Sequence, residues 1–167
     1  MPSTYDKVAT YTIPSPTTSY TFSSIPGTYT DLILISMAQK TTSGSGTGFS
    51  LRFNGDTSTN YSTTYLEGSG STASSYRTTS TTSMNGGAVT SNATAASFDV
   101  NTNQIMNYSN ATTYKTLITR YNDNEFSYVG SSVSLWRDTA AITSITIFAA
   151  NNFATGSTFT LYGIKAA

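Results

Sequence analysis

Apolar and polar residues alternate in short stretches of this chain, and Gly, Pro, Asn and Ser clusters separate the stretches. In GFSLRF, Phe49, Leu51 and Phe53 fall on one side of an extended backbone and Ser50 and Arg52 on the other. In TFTLYGI, Phe159 and Leu161 oppose Thr160 and Tyr162. A period of two marks a strand with one buried face, because successive side chains of an extended chain point to opposite sides. The pattern predicts strands over Val8–Ile13, Ser19–Ser23, Asp31–Gln39, Gly48–Phe53, Ser62–Glu67, Ala96–Val100, Thr113–Tyr121, Phe126–Val129, Val133–Arg137, Ile142–Ala149 and Thr158–Ile164.

Two stretches do not alternate: Leu32–Ile35 within SSIPGTYTDLILISMAQ, and ITSITIFAA, from Ile142 to Ala150. Each reads as a central strand covered on both faces, or as one whose second face is covered at an interface. A buried helix would also be apolar all round, but the runs are short, Pro26-Gly27 precedes the first, and the surrounding segments are rich in strand formers. Many short strands around two apolar ones predict an all-β chain. The expected fold is a single antiparallel β-sandwich of jelly-roll type over residues 1–167.

Two pieces stand apart from this pattern. Met1–Pro16 carries Pro2, Pro14 and Pro16, which suits an edge strand or an extended arm. Gly68–Asn92, GSGSTASSYRTTSTTSMNGGAVTSN, has few large apolar residues and reads as a long loop, solvated or touching a partner subunit. Asn54-Gly55 in FNGD signals a tight turn, and SMNGGAV is a second turn candidate.

Composition sharpens the fold and narrows the chemistry. Ser and Thr make up roughly a third of the residues and charged residues only 10%, well below the quarter or so of ordinary domains. Such a surface is built of hydroxyls and amides. Twelve Tyr and eight Phe against two Glu favour strands over helices. Net charge is zero and the eight basic residues are scattered, which argues against a nucleic-acid partner, since phosphate binding needs clustered Lys and Arg. No segment is apolar enough over sufficient length to span a membrane as a helix, and the opening residues show no charged region followed by an apolar stretch.

The chain has neither Cys nor His. Thiolate chemistry, disulfides, imidazole bases and the usual zinc ligand sets are thereby removed. Of the carboxylates, only YNDNEF, with Asp123 and Glu125, is dense, and it reads as a strand connection rather than a paired-carboxylate or calcium site. No catalytic residue, metal or cofactor is expected. Trp136 suits a core position, a subunit interface or a sugar-stacking platform. Trp136, Tyr76 and Arg77 are the candidates for contact with a partner or a glycan.

Three stretches together carry a resemblance: SSIPGTYTDLILISMAQ, LRFNGDTSTNYS and LWRDTAAITSITIFAANNFATGSTFTLYGIK. The combination resembles small virion structural proteins of tailed phages, many of them infecting cyanobacteria and other aquatic bacteria. The similarity thins out through Gly68–Asn92. It implies a β-sandwich that forms a homotrimer within the virion and assembles in the host cytoplasm. Members of the family occur as head or tail components; no heptad or shaft repeat appears in the chain, which favours capsid decoration, a cement protein bound to the major capsid protein or another virion protein and stabilising the head. The alternative is a tail-fibre or receptor-binding module that recognises a host surface glycan.

Overall fold

The computed structural model describes residues 4–42, 48–90, 97–124 and 127–165. It is all-β: 64% of the described residues are in strands or β-bridges, and there is no helix among them. Twelve strands run β1 (Tyr5–Thr12), β2 (Thr17–Phe22), β3 (Asp31–Ala38), β4 (Gly48–Phe53), β5 (Tyr61–Gly68) and β6 (Ala73–Thr81), then β7 (Met84–Ala88), β8 (Asp99–Met106), β9 (Lys115–Asp123), β10 (Tyr128–Trp136), β11 (Ile145–Phe153) and β12 (Thr158–Ile164). They form two antiparallel sheets, one of eight strands in the order β1-β12-β3-β8-β9-β10-β5-β6 and one of four in the order β2-β11-β4-β7.

The alternating stretches supply the core between the sheets. Phe22, Phe53 and Ile145 share one cross-strand row of the small sheet, and Leu51 and Ile147 the next. All are buried against Leu32, Leu34, Leu161 and Phe159 of the large sheet. Phe49, Phe153 and Phe159 meet edge-on, with ring centroids 5.1–6.3 Å apart. This is the arrangement that ring quadrupoles favour.

The Leu32–Ile35 run is interior to its sheet, paired on both sides with β12 and β8. Only one of its faces is covered within the protomer. Leu32 and Leu34 are buried, whereas Ile35 and Met37 are exposed. The expectation of two faces covered within the protomer is thus corrected, while the alternative of a second face covered at an interface is not touched by it: burial alternates although hydrophobicity does not.

Residues 68–90 are not the long loop expected from their composition; they hold β6 and β7, while Ser91 and Asn92 lie outside the described residues. Likewise Tyr5–Thr12 is not an extended arm. It pairs along β12 as an edge strand, and Lys165 and Asp6 form an ion pair where the two strands end. Parts of the strands expected at Ala96–Val100 and Phe126–Val129, namely Ala96 and Phe126, also fall outside the described residues.

SMNGGAV is a strand rather than a turn, and its glycines explain why. A Cβ on Gly86 would come within 2.3 Å of the Phe49 ring, and one on Gly87, at φ +126°, within 2.1 Å of Asn101. Bare backbone lets β7 lie directly on β8 and β9. There its carbonyls meet a polar patch of the interior. Asn101 Nδ2 donates to Ala88 O at 2.9 Å and to Ser36 Oγ at 3.1 Å. Asn103 Nδ2 donates to Gly86 O at 2.9 Å, and Thr119 Oγ1 donates to Asn103 Oδ1 at 2.9 Å. Buried amides are tolerated where their donors are paired.

FNGD does form the expected tight turn, with Asn54 at φ 51° and Gly55 at φ 67°. Asn54 Oδ1 also accepts from the backbone N–H of Thr143 and of Ser144, which ties the turn to the start of β11.

Candidate functional site

The three residues singled out from sequence do not converge. Trp136 ends β10 on the inner face and is 1% exposed. Its ring meets Phe53 edge-on, stacks with Tyr61 at 6.3 Å, and donates from Nε1 to Asp56 Oδ2 at 2.7 Å. A buried indole with its donor satisfied cannot stack on a partner or a sugar, so Trp136 leaves the set of contact residues and belongs to the core. Burial pushes Asp56 up, but hydrogen bonds from Trp136, Ser58 and Asn60 outweigh it and hold the carboxyl below its ordinary range.

Tyr76 and Arg77 are neighbours on β6, the edge of the large sheet, and point to opposite faces. Both are exposed. Arg77 lies in the outer row that runs through Thr64, Val133, Ile118, Gln104 and Ile33. Tyr76 lies on the inner face, opposite Tyr65, and the two rings stack at 4.4 Å. The small sheet is four strands wide and the large one eight, so the inner face of β6 extends past the cover.

A side chain that sequence reasoning passed over organises this region. Glu67 Oε1 accepts from Tyr121 Oη at 2.7 Å and from Tyr76 Oη at 3.2 Å. Tyr121 reaches Glu67 by lying across β10 at Gly130, where a Cβ would stand 2.3 Å from its ring. Tyr128 meets Tyr121 edge-on at 6.3 Å. Burial, reinforced by the Glu67 carboxylate, pushes the Tyr121 hydroxyl up strongly and that of Tyr76 to about 12, so both stay protonated donors. Glu67 was legible only as an isolated acid at the end of a strand; its partners come from β6 and β9.

The second surface is the outer face of the large sheet. Val129 is 64% exposed, Leu66 61%, Val133 52% and Met37 48%; Ile35, Val100 and Met106 lie on the same face. Arg120 is exposed among them, between two shallow hollows of about 460 and 570 Å³. The small sheet differs. Its outward side carries Thr21, Thr146 and Arg52, and its Phe148 ring is capped by the Arg52 guanidinium at 4.4 Å. Period-two alternation at Ile33/Ile35/Met37 and Val129/Val133 was the signal for this face. It was hidden because the opposite face of β3 is equally apolar.

The remaining charged groups of note are buried and structural. Lys115 Nζ donates to Thr113 O at 2.6 Å and to Thr139 O at 3.0 Å. Burial lowers its pKa, and Asp138 offsets this in part. Lys40 is likewise lowered by burial and partly restored by Asp123. Asp99 accepts from Thr90 N and Asn124 N, which braces the start of β8. Glu125 of the acidic patch lies outside the described residues. Among the described residues no three Asp or Glu come together to hold a metal ion. The sequence matches no known family model and no curated protein.

Proposed function

We propose that this chain is a virion structural protein of jelly-roll type, a homotrimeric decoration protein that binds an assembled phage capsid. The strand order carries the reading. The large sheet contains the run β1-β12-β3-β8, and the small sheet runs β2-β11-β4-β7. Numbering those eight strands one to eight in chain order gives 1-8-3-6 opposite 2-7-4-5, the order of an eight-stranded jelly roll with two Greek keys. The hairpins β5-β6 and β9-β10 are then insertions that widen one sheet. Jelly rolls of this kind recur in viral capsid and lectin domains.

The surfaces support the same role. Exposed aliphatic side chains concentrate on one broad face, as they do where a second surface is to be covered. A symmetric neighbour is the economical cover, because in a closed ring every copy meets the next through the same pair of surfaces. That neighbour must also offer an acceptor to Arg120. The net charge of zero leaves shape and hydrogen bonding to hold the protein on a shell, with weak dependence on salt. In this reading the chain is no enzyme and binds no cofactor, nucleic acid or membrane. The resemblance of three stretches to tailed-phage structural proteins, cyanophage proteins among them, points the same way.

Cryo-imaging of virions labelled with an antibody to this chain tests the proposal. Density on the head supports decoration. Density at the tail supports the second reading, a receptor-binding module, which the exposed tyrosines of β5 and β6 favour. A virion without the protein overturns both.

A further inference from the structure

We infer that the uncovered inner face of the β5-β6 hairpin is a binding site for a neutral glycan. The inference stands apart from the capsid role and does not depend on it. Three observations meet there. The first is an aromatic platform held in place: Tyr65 and Tyr76 stack at 4.4 Å with an interplanar angle of 11°, and Tyr76 remains 47% exposed. A pyranose presents an apolar C–H face that packs on such a ring, while the phenol supplies a polar tip.

The second is a fixed acceptor beside the platform. Glu67 is held by Tyr121 and Tyr76, and Tyr121 can reach it only because β10 has glycine at position 130. A carboxylate has about four lone-pair sites, and these two donors leave capacity for ligand hydroxyls. The third is shape. One cleft of about 260 Å³ lies between Glu67, Ser74 and Tyr128. Another of about 330 Å³ lies between Tyr65, Thr78 and Asn85. Ser74 and Thr78 are four residues apart on one strand, roughly 13 Å. The clefts therefore flank the ring pair along a line, with hydroxyl and amide groups at either end. An extended oligosaccharide lies along that line with one ring on Tyr76.

The chemistry selects against other ligands. The Glu67 carboxylate beside the ring pair repels phosphates and acidic sugars, and among the described residues no Arg or Lys lines either cleft. The expected class is an uncharged hexose polymer.

The test uses the intact protein with cellohexaose, maltohexaose and mannohexaose as probes and a heparin hexasaccharide as the anionic comparison. Saturation-transfer NMR should show transfer to at least one neutral hexasaccharide and none to the anionic one, with ring signals of Tyr65 and Tyr76 shifting on titration. Tyr76→Ala should abolish transfer, Tyr76→Phe should retain most of it, and Glu67→Gln should weaken binding about tenfold. If Tyr76→Ala does not fold, the ring shifts of the wild-type protein decide the matter. No transfer to any neutral probe at millimolar concentration overturns the inference, as does preferential binding of the anionic probe. Shifts confined to other residues, or undiminished binding by a folded Tyr76→Ala variant, overturn it equally.

Discussion

Trp136 shows how one hydrogen bond can decide between a binding residue and a core residue. Its Nε1–H is consumed by Asp56, whose Oδ1 and Oδ2 also accept from Ser58 and Asn60. Because the folded state depresses the Asp56 pKa, its contribution is present above the unfolded value, near 3.9, and is lost as pH falls through the lower folded value. Trp136→Phe should cost about 1.5–3 kcal/mol at pH 7 from the bond to a charged group alone, and should flatten the acid limb of the stability curve. Urea titrations followed by circular dichroism at pH 7 and pH 3 check both. Tyr61 acts at the other end of the pH scale. Burial raises its pKa to about 12, so stability is full below the unfolded value near 10 and falls as pH rises toward the folded one. The loss expected across that window is about 2–3 kcal/mol, and Tyr61→Phe should remove most of it in alkaline urea titrations. An indole at a strand end suits core and surface alike; only the position of Asp56, 80 residues away in sequence, settles which.

At the level of elements, β3 and β7 are the two strands whose sequences mislead in opposite directions. In β3 both faces are apolar, so the sequence shows no alternation although burial alternates. Leu34→Ala should cost about 2–5 kcal/mol, since it opens a cavity in a closed core. Met37→Ala on the same strand should cost well under 1 kcal/mol in a dissociated protomer, as expected of an exposed site. Denaturant unfolding of the two variants at low concentration separates them. In β7 the sequence MNGGA looks like a turn because its strand character depends on the absence of side chains. Gly87→Ala meets both a positive φ and the Asn101 side chain, and should destabilise by at least about 1–3 kcal/mol in the same assay. The alternating elements β4 and β12 were legible because one-sided burial leaves a direct imprint on sequence. Strand β8 was legible only at its start, since Asn101 and Asn103 are buried there by pairing with β7 backbone rather than by hydrophobicity. Strand β6, all Ser, Thr and small residues save Tyr76 and Arg77, has largely exposed side chains and joins its sheet through backbone pairing with β5.

For the whole molecule the governing feature is unequal width. Eight strands face four, so β6 and the far half of β5 run out past the cover, and the aromatic site follows from that overhang. The large sheet also leaves its outer face to whatever lies beyond the protomer. In the proposed trimer a copy of the same chain lies there. The measurement that tests this most directly is light scattering of the purified protein at micromolar concentration, alongside Val133→Asp, which places a charge in the middle of the exposed aliphatic face. The proposed trimer requires about 53 kDa for the wild type, three times 17.7 kDa, and a folded 17.7 kDa monomer for the variant. A wild-type monomer, or a trimer that Val133→Asp leaves intact, would contradict it.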